Sequence, residues 1–290
     1  IQKMVRKDPK RQLEPKLLDL IENAPTETGV YYMHRSDGTI IYIGKSKNIK
    51  KRLIQHFTND NRKSKKIQLE VAEVTFEKTG SELIALLKES EEIKRNKPIY
   101  NRALRRTLFQ YQLSSFTDEK GYINLKIDKA DSRKKAITTF TNYQQAKSTL
   151  YRITETHQLC QKLTGLYETK TSCFLHSIKE CHGACIEKEP AEEYNARVKV
   201  FLENNSYANK HMLIIDKGRD IDERSAILIE NGKYIGFGFF NLNYQVNNPE
   251  VLKSIINPMQ DNRDSQHIIQ SYLRKNKGLK VVNLAPDTVD

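Results

Sequence analysis

Apolar residues along the chain follow two kinds of spacing, and together these predict an α+β protein. Strands are expected where β-branched and aromatic residues form short runs, and helices where apolar residues recur every three or four positions. In the first hundred residues the pattern predicts, in order, a helix over 13–22, a β-hairpin of 30–33 and 39–43, a helix from Ser46 or Asn48 to Phe57, a strand over 71–76 and a helix from Ser81 to Pro98.

The rest of the chain shows the same mixture of short strands and helices. Its predicted elements are strands over 109–113, 123–127 and 137–140, a helix over 143–157, a cysteine-bearing loop region over 160–185, a helix over 190–203, apolar runs at 212–215, 226–229 and 234–240, and a helix near 267–275 before a final apolar segment. Asn204-Asn205 is interpreted as a hinge. These signals divide the chain into three regions, 13–106, 107–204 and 205–290, of which the middle one is cysteine-rich and the last is a small α+β unit.

Basic residues outnumber acidic ones by 49 to 36, and the excess is concentrated in short clusters. One cluster by itself is usually a solvated face, but three of them lie within the first hundred or so residues, at 45–52, 62–66 and 102–106. Such clusters attract polyanions, of which nucleic acid is the commonest, so they favour a phosphate-binding surface. The residues expected to bind DNA are Lys47, Lys50, Lys51, Arg102, Arg105 and Arg106.

The distribution of apolar residues argues against a membrane protein. No apolar run approaches the length needed to span a bilayer, and the first residues lack the apolar middle of a signal peptide. We therefore expect a cytoplasmic protein. Because the first residue is Ile1 rather than Met, a further segment could precede it.

Two short words of tyrosine and glycine, Gly29-Val30-Tyr31 and Tyr42-Ile43-Gly44, lie on the two strands of the predicted hairpin. Alternate residues of a strand share a face, so Tyr31 and Tyr42 can point into one cleft, while the glycines let a backbone or a ligand come close. The alternative is that both tyrosines are ordinary strand aromatics. The hairpin alone does not separate the two interpretations.

Charged residues on the following elements extend this cleft. Lys45 leaves the second strand, Arg52 follows near the start of the next helix, and His56 lies one turn further on the same helical face. Glu89 lies at the apolar edge of the helix that begins at Ser81, where its carboxylate should be partly desolvated. A carboxylate in that position is a candidate metal or proton ligand.

These residues resemble the pattern of the GIY-YIG endonuclease family, in which Gly-Ile-Tyr and Tyr-Ile-Gly are followed by Lys, Arg, a helix Glu and a terminal Asn, here Asn101. The segments "YIGKSKNIKKRLIQHF" and "ALLKESEEIKRNKPIYNRALRR" are similar in particular to its UvrC/Cho branch. The sequence departs from that branch at His56, where a tyrosine is usual, and at Val30, which conserves volume. The resemblance implies a small nuclease domain with a mixed sheet flanked by helices.

The chemistry that the resemblance implies is hydrolysis of a DNA phosphodiester. Glu89 would hold one Mg²⁺ or Mn²⁺ ion, and Arg52 would bind the phosphate bidentately. Tyr31 or Tyr42 would take the proton from the attacking water. Because a phenol normally titrates near ~10, the charge of Lys45 would be needed to lower the pKa of that tyrosine. Gly29, Gly44, His56 and Asn101 would support this site.

All four cysteines fall in one window, Cys160, Cys173, Cys181 and Cys185, with twelve, seven and three residues between them. Disulfides are not expected in a cytoplasmic chain, and a site with only sulfur ligands indicates zinc or an iron–sulfur cluster. Zinc sites usually have closely paired cysteines at both ends, whereas only Cys181 and Cys185 form such a pair. This region also resembles the cysteine region of UvrC and Cho, which implies a 4Fe–4S cluster in preference to zinc.

The expected function is a DNA repair endonuclease that cuts on the 3′ side of a lesion in double-stranded DNA. The UvrC/Cho resemblance implies that UvrB, with UvrA acting before it, targets the cut. One alternative is a GIY-YIG nuclease that is fused to an exonuclease and independent of UvrB. The other is a DNA-binding module without catalytic activity, although the full set of Tyr31, Tyr42, Lys45, Arg52 and Glu89 argues against a decayed site.

Overall fold

The computed structural model describes residues 14–102, 109–131, 136–205, 210–244 and 248–284. The predicted α+β class is confirmed. The chain forms two compact units: the first comprises the described residues up to 102 together with 212–228 and 234–284, and the second comprises the described residues of 109–211 with 229–233. The first unit is therefore discontinuous in sequence. No helix of the described residues has the length and hydropathy needed to cross a membrane.

The N-terminal part of the first unit contains four helices and three strands in the order α1 (Pro15–Glu22), β1 (Gly29–His34), β2 (Ile40–Ser46), α2 (Ile49–Thr58), α3 (Arg62–Glu70), β3 (Glu73–Lys78) and α4 (Glu82–Asn96). The strands form a sheet of order β2-β1-β3. Both pairings are antiparallel, so the expected mixed sheet is wrong in this detail. The turn between β1 and β2 contains Gly38, whose positive φ of 82° suits glycine.

Strand residues alternate between the two faces of the sheet, and helices pack against both faces. Tyr31 and Met33 belong to a core that includes apolar residues of α1, α2 and α3. Val30 and Ile43 belong to a second core with Ala85 and Ile93 of α4. The candidate tyrosines therefore lie on the side of α2 and α3, whereas the backbone of β2 faces α4.

Helix α3 is the longest of the elements that the apolar pattern missed; the others are the short segments Phe174–Ser177, Pro249–Ser254 and Asn257–Pro258. Its sequence, RKSKKIQLE, contains a basic cluster, and only Ile67 and Ser64 of the helix are buried. The Asn61 side chain caps it by accepting a hydrogen bond from the Ser64 amide at 2.8 Å. The helix displaces the strand predicted over 71–76, which begins at Glu73 instead.

The second unit contains the sheet β5-β4-β6 and the helices around it. Its elements are β4 (Tyr111–Thr117), β5 (Ile123–Lys129), β6 (Thr138–Phe140), α5 (Tyr143–Thr156), the short α6 (Phe174–Ser177), a 3₁₀ turn (Ala184–Ile186) and α7 (Ala191–Asn205). Buried residues of the strands, α5 and α7 share one core with Cys160 and Cys173. The hinge predicted at Asn204-Asn205 is wrong, since both residues belong to the last turn of α7.

The C-terminal part of the chain contains a five-stranded sheet of order β10-β9-β8-β7-β11. Its elements are β7 (Met212–Lys217), β8 (Glu223–Glu230), β9 (Lys233–Asn241), a 3₁₀ turn (Leu242–Tyr244), α8 (Pro249–Ser254), β10 (Asn257–Pro258), α9 (Arg263–Lys275) and β11 (Lys280–Asn283). Helix α9 begins four residues before the predicted start, because Asn262 and Ser265 form a capping box there.

Candidate active site

Tyr31 and Tyr42 lie side by side on paired strands, with ring centroids 6.1 Å apart. Tyr31 is opposite Gly44, and a Cβ at Gly44 would lie only 2.3 Å from the Tyr31 hydroxyl. A Cβ at Gly29 would lie 2.1 Å from the Glu77 carbonyl oxygen on β3. Both glycines are therefore needed by the protein's own packing, the first for an aromatic ring and the second for a neighbouring strand.

His56, on α2, completes an aromatic cluster with the two tyrosines. Its Nε2 is hydrogen-bonded to the Tyr31 hydroxyl at 2.8 Å, and its ring centroid is 5.0 Å from that of Tyr42. Burial, together with the charges of Arg52 and Lys63, lowers the pKa of His56 to about 4. The imidazole is consequently neutral at pH 7 and can accept the phenolic proton.

Neither phenol is acidified as expected. Burial raises the pKa of Tyr31 and of Tyr42, and the nearby Arg52 guanidinium lowers both by less than burial raises them. The Lys45 ammonium group lies instead 2.8 Å from a carboxylate oxygen of Glu82, in the first turn of α4. The prediction that Lys45 acidifies a tyrosine is therefore wrong in this structure, because Glu82 holds the lysine.

Glu89 faces the backbone of β2 from the middle of α4. Its Oε1 accepts a hydrogen bond from the Lys45 amide at 3.0 Å. Burial raises the pKa of Glu89, and the charges of Lys45 and Arg52 oppose that rise. The carboxylate is desolvated, as its position at an apolar helix edge predicts, and such a group is a candidate ligand for a cation.

The Asn101 side chain is hydrogen-bonded to the backbone of β2 as well, at Ile43. Its side-chain oxygen accepts from the Ile43 amide at 2.9 Å, and its amide group donates to the Ile43 carbonyl at 2.8 Å. Asn101 is buried, so these bonds are shielded from water. Its place in the structure fits the supporting role that the sequence predicts.

A cavity of about 550 Å³ opens beside Tyr42, Arg52 and His56, and its remaining lining comes from α2, α3 and the turn between them. Lys63 of α3 lines this cavity and is not among the site residues predicted from the sequence. Its ammonium nitrogen lies 4.5 Å from the centroid of the Tyr42 ring. Burial and the charge of Arg52 lower the pKa of Lys63. The signal for it is the basic cluster at 62–66, which did not indicate which lysine faces the cleft.

The residues expected to bind DNA have different surroundings. The Lys47 ammonium pairs with Glu82 at 2.9 Å, and Lys50 donates to the Glu22 carbonyl at 3.0 Å. Lys51 and Arg102 are exposed. Arg105 and Arg106 lie outside the described residues.

The cysteines come together in the second unit. The thiol sulfurs of Cys160, Cys173 and Cys185 all lie within 4.8 Å of one another, and those of Cys160 and Cys173 are 3.8 Å apart. A hydrogen bond between the side chains of Cys160 and Cys181 lowers the pKa of Cys181 and raises that of Cys160. Three thiols within 4.8 Å of one another, with Cys181 hydrogen-bonded to Cys160, form an all-sulfur donor set that suits a soft metal.

Two models of protein families match the chain in succession. Residues 27–102 match the UvrC-like GIY-YIG domain, and residues 111–204 match the middle domain of the UvrC/Cho excinucleases. Together the two matches cover more than half of the chain and include every candidate site residue except Arg105 and Arg106. The chain belongs to the UvrC/Cho family.

Individual relatives agree with this family. The chain is 31% identical over 193 residues to "Excinuclease cho" of Escherichia coli strain K12, which is 64% of this chain and 64% of that protein. It is 30% identical over 236 residues to "UvrABC system protein C" of Protochlamydia amoebophila, which is 75% of this chain and 35% of that protein. The chain thus spans just under two thirds of the length of the Cho relatives that it matches.

Among solved structures, the chain is similar to the GIY-YIG N-terminal endonuclease domain of UvrC from Thermotoga maritima bound to its catalytic divalent cation, magnesium. The identity is 33%, over 30% of this chain and 98% of that domain, with a TM-score of 0.29. Because that score is low, membership of the UvrC/Cho family rests on the sequence matches.

Proposed function

We propose that this protein is a metal-dependent DNA endonuclease that cuts on the 3′ side of lesions in nucleotide excision repair. The observation that carries the proposal is the convergence of Tyr31, Tyr42, His56 and Arg52 at one cleft, beside the desolvated Glu89, whose charge acts on both tyrosines and whose carboxylate accepts a hydrogen bond from the backbone of β2. Family membership, and the cleavage activity named in the relatives' descriptions, support the same reaction.

Glu89 is the residue that would hold a divalent cation. Its carboxylate oxygens are the hard donors that Mg²⁺ and Mn²⁺ prefer, and its raised pKa indicates a buried negative charge that a cation would compensate. Bound there, the ion would stabilise negative charge on the reacting phosphate as a Lewis acid. The magnesium-bound UvrC domain of Thermotoga maritima supports this choice of metal.

The pair formed by Tyr31 and His56 is our candidate for proton transfer. The Tyr31 phenol is protonated, so it can accept a proton from water only if it passes its own proton to Nε2 of His56, 2.8 Å away. A bound phosphate would favour that transfer, because it would offset the Arg52 and Lys63 charges that act with burial to lower the pKa of His56. Tyr31 can then accept a proton from the attacking water. This pathway gives the histidine a function in place of the tyrosine that is usual in the UvrC/Cho branch.

Arg52 and Lys63 supply positive charge at the cleft. The forked donors of Arg52 suit two oxygens of one phosphate, and Lys63 adds a second cation at the Tyr42 ring. Lys51 and Arg102, both exposed, would extend the contact to the DNA backbone, as would Lys47 and Lys50.

The four cysteines are proposed to hold a 4Fe–4S cluster, with zinc as the alternative. The all-sulfur donor set and the closeness of the three thiols within 4.8 Å support a shared metal group. The hydrolysis needs no electron transfer, so the group would stabilise the middle region or help it to engage DNA. The division into domains at 13–106, 107–204 and 205–290 is likewise our proposal.

The test is nicking of a lesion-bearing duplex with Mg²⁺ or Mn²⁺, with and without UvrB and UvrA. We compare the wild type with Glu89→Gln and with Glu92→Gln, a matched change on the same helix. We expect cutting 3′ to the lesion that requires UvrB and falls about 10³-fold in Glu89→Gln alone, a loss typical of removing an electrostatic stabiliser.

Other outcomes would select the alternatives. UvrB-independent cutting by the wild type would indicate the nuclease associated with an exonuclease. DNA binding without cutting under any condition would indicate the non-catalytic module. Equal cutting by Glu89→Gln and Glu92→Gln would show that Glu89 is not the metal ligand.

A further inference from the structure

The C-terminal part of the first unit contacts α4, the helix that carries Glu89, at the start of that helix. Ser81 is the N-cap of α4, and its side-chain oxygen accepts from the amides of Leu83 at 3.1 Å and Ile84 at 3.4 Å. The same hydroxyl donates to Asp216 Oδ2 at 2.7 Å, at the end of β7. Ser81 is only 1% exposed, so this bond is shielded from competing water.

Asp216 is itself held in place by further donors. The Lys217 amide donates to its Oδ1 at 2.8 Å, and the Tyr272 hydroxyl, from α9, donates to its Oδ2 at 3.4 Å. Burial and the Asp216 charge raise the pKa of Tyr272, which keeps that phenol protonated as a donor. A carboxylate next to the first turn of a helix also interacts favourably with the helix dipole.

The backbones meet beside this hydrogen bond. Gly80 has a φ of +63°, and a Cβ there would lie 1.8 Å from the Gly218 carbonyl oxygen. Only glycine allows the turn after β7 to approach the residue that precedes the N-cap of α4 so closely. The contact therefore depends on two features of the sequence: glycine at Gly80 for the close approach, and the hydrogen bond between Ser81 and Asp216.

A second contact holds the other end of α4. Lys94 forms an ion pair with the carboxylate of Asp264, which is 3% exposed, and its ammonium donates to Asn262 Oδ1 at 3.1 Å. Ser81 and Lys94 are thirteen positions apart, about 20 Å along a helix. Glu89 lies between these two points.

The first turn of α4 also holds the lysines of the candidate site. Glu82 follows Ser81 directly, and its carboxylate pairs with Lys45 at 2.8 Å and Lys47 at 2.9 Å. Lys45 in turn donates its amide to Glu89. A shift of the helix start would therefore move the lysines and the carboxylate together.

We propose that Asp216 is a positioning residue of the nuclease site, which acts through Ser81 to fix the start of α4 and the orientation of Glu89 toward its cation. The inference rests on the proposed function, because it takes Glu89 to be the metal ligand. It gives the C-terminal part of the chain a role in catalysis. Groups hydrogen-bonded directly to a metal ligand contribute 10- to 100-fold in metal affinity. Asp216 acts through Ser81, eight positions before Glu89, so we expect an effect at the low end of that range.

The test measures Mn²⁺ binding to the full chain by electron paramagnetic resonance, without DNA, and nicking as a function of Mn²⁺ concentration. We compare Asp216→Ala with Asp222→Ala, which removes the same charge from an exposed residue of the turn that follows β7. We expect Asp216→Ala to raise the half-saturating Mn²⁺ concentration about tenfold in both assays. Excess Mn²⁺ should restore most of the nicking rate, and Asp222→Ala should match the wild type.

Two further variants keep the test decisive if Asp216→Ala folds poorly. Asp216→Asn keeps an acceptor for Ser81 and should stay within about threefold of the wild type. Ser81→Ala should weaken Mn²⁺ binding, and the double variant Ser81→Ala with Asp216→Asn should be no worse than Ser81→Ala, because both act through one bond.

A purely structural role would give a different result. If Asp216→Ala and Ser81→Ala lower the melting temperature but bind Mn²⁺ as the wild type does, the positioning role is refuted. A wild type that binds Mn²⁺ in a Glu89-dependent manner without cutting DNA would refute the nuclease function alone. The Mn²⁺ affinities of the variants would still decide the role of Asp216.

Discussion

The two candidate metal-binding regions of this protein are built in opposite ways. Around Glu89, the side chains lie on paired strands and on the 15-residue helix α4, and the Ile43 backbone is held by Asn101. Around the cysteines, residues 160–185 contain little regular structure: only the four-residue α6 and the beginning of a 3₁₀ turn interrupt the loops.

The Glu89 site is preorganised by the fold, whereas the cysteine site would be organised mainly by its bound metal. The first site has its geometry from backbone pairing and buried hydrogen bonds, so a cation would add charge compensation to an existing arrangement. In the second, Cys160 and Cys173 belong to the apolar core, but all four thiols lie on segments with little backbone pairing, so part of the free energy of metal binding would also be folding free energy. Loss of metal should therefore have different consequences in the two regions.

The largest effect is expected from Cys173→Ser, which removes one thiol ligand from the proposed metal site of the cysteine region. We expect loss of bound iron or zinc and a melting transition of the second unit lowered by about 10 °C or more, since each kcal/mol shifts a ~100-residue unit by about 4–8 °C. Elemental analysis and calorimetry measure both quantities. Mn²⁺ affinity at Glu89 should not change, and an equal loss there would contradict the comparison.

Gly44→Ala tests the preorganised site. The added methyl group would lie 2.3 Å from the hydroxyl of buried Tyr31, and relieving such overpacking costs about 1–3 kcal/mol. Urea unfolding measures the loss, and nicking should fall with it as Tyr31 moves. Gly278→Ala is the matched control, because nothing lies within 4 Å of a Cβ there. Equal stability of the two variants would show that the ring adapts easily.

A smaller effect concerns pH. Burial lowers the pKa of His56 to about 4, whereas in the unfolded chain imidazole titrates near ~6.5. Between these values the unfolded state binds more protons, so stability falls as the pH drops from about 6.5 to about 4. His56→Tyr should reduce this dependence in melting temperatures measured at pH 7.5 and 5. His267, whose pKa burial also lowers to about 4, keeps part of it.

One result of the pH experiment would contradict this prediction. Identical pH dependence in the wild type and His56→Tyr would mean that His56 is not buried as a neutral ring. His56→Tyr should also keep most of the nicking activity, because tyrosine is the usual residue of the UvrC/Cho branch at this position.

The smallest effect is expected from Lys63→Met, which removes the cation above the Tyr42 ring. A cation–π contact of this kind contributes about 0.5–1 kcal/mol, and a loss of that size from transition-state binding would lower kcat/KM about twofold to fivefold. The salt dependence of DNA binding should lose a slope of about one. Lys66→Met, on the same helix but outside the cavity lining, is the control, and equal losses in both variants would indicate a general charge effect.

The features that could be predicted are those that depend on residues close together in the sequence. The hairpin follows from its β-branched and aromatic residues, and the desolvation of Glu89 follows from its place at the apolar edge of a helix. The pairing of Lys45 with Glu82 joins residues 37 positions apart, and no local pattern indicates it. Lys63 was missed because α3 buries too few apolar residues to show a helical period.

The C-terminal contacts were beyond prediction for a related reason. The bond from Ser81 to Asp216 joins residues 135 positions apart, and "DKGRDIDER" reads as a charged turn. The function of the turn depends on a helix encoded far earlier in the chain.

The discontinuity of the first unit has a consequence for synthesis on the ribosome. More than a hundred residues separate its N-terminal part from β7, a delay of roughly 5–20 s at ordinary elongation rates. During that interval the hairpin and α4 can form, but the C-terminal partners of Ser81 and Lys94 have not yet been made, whereas the cysteine region of the second unit, 160–185, has been. Nascent chains should therefore acquire the cysteine region first and the finished cleft last.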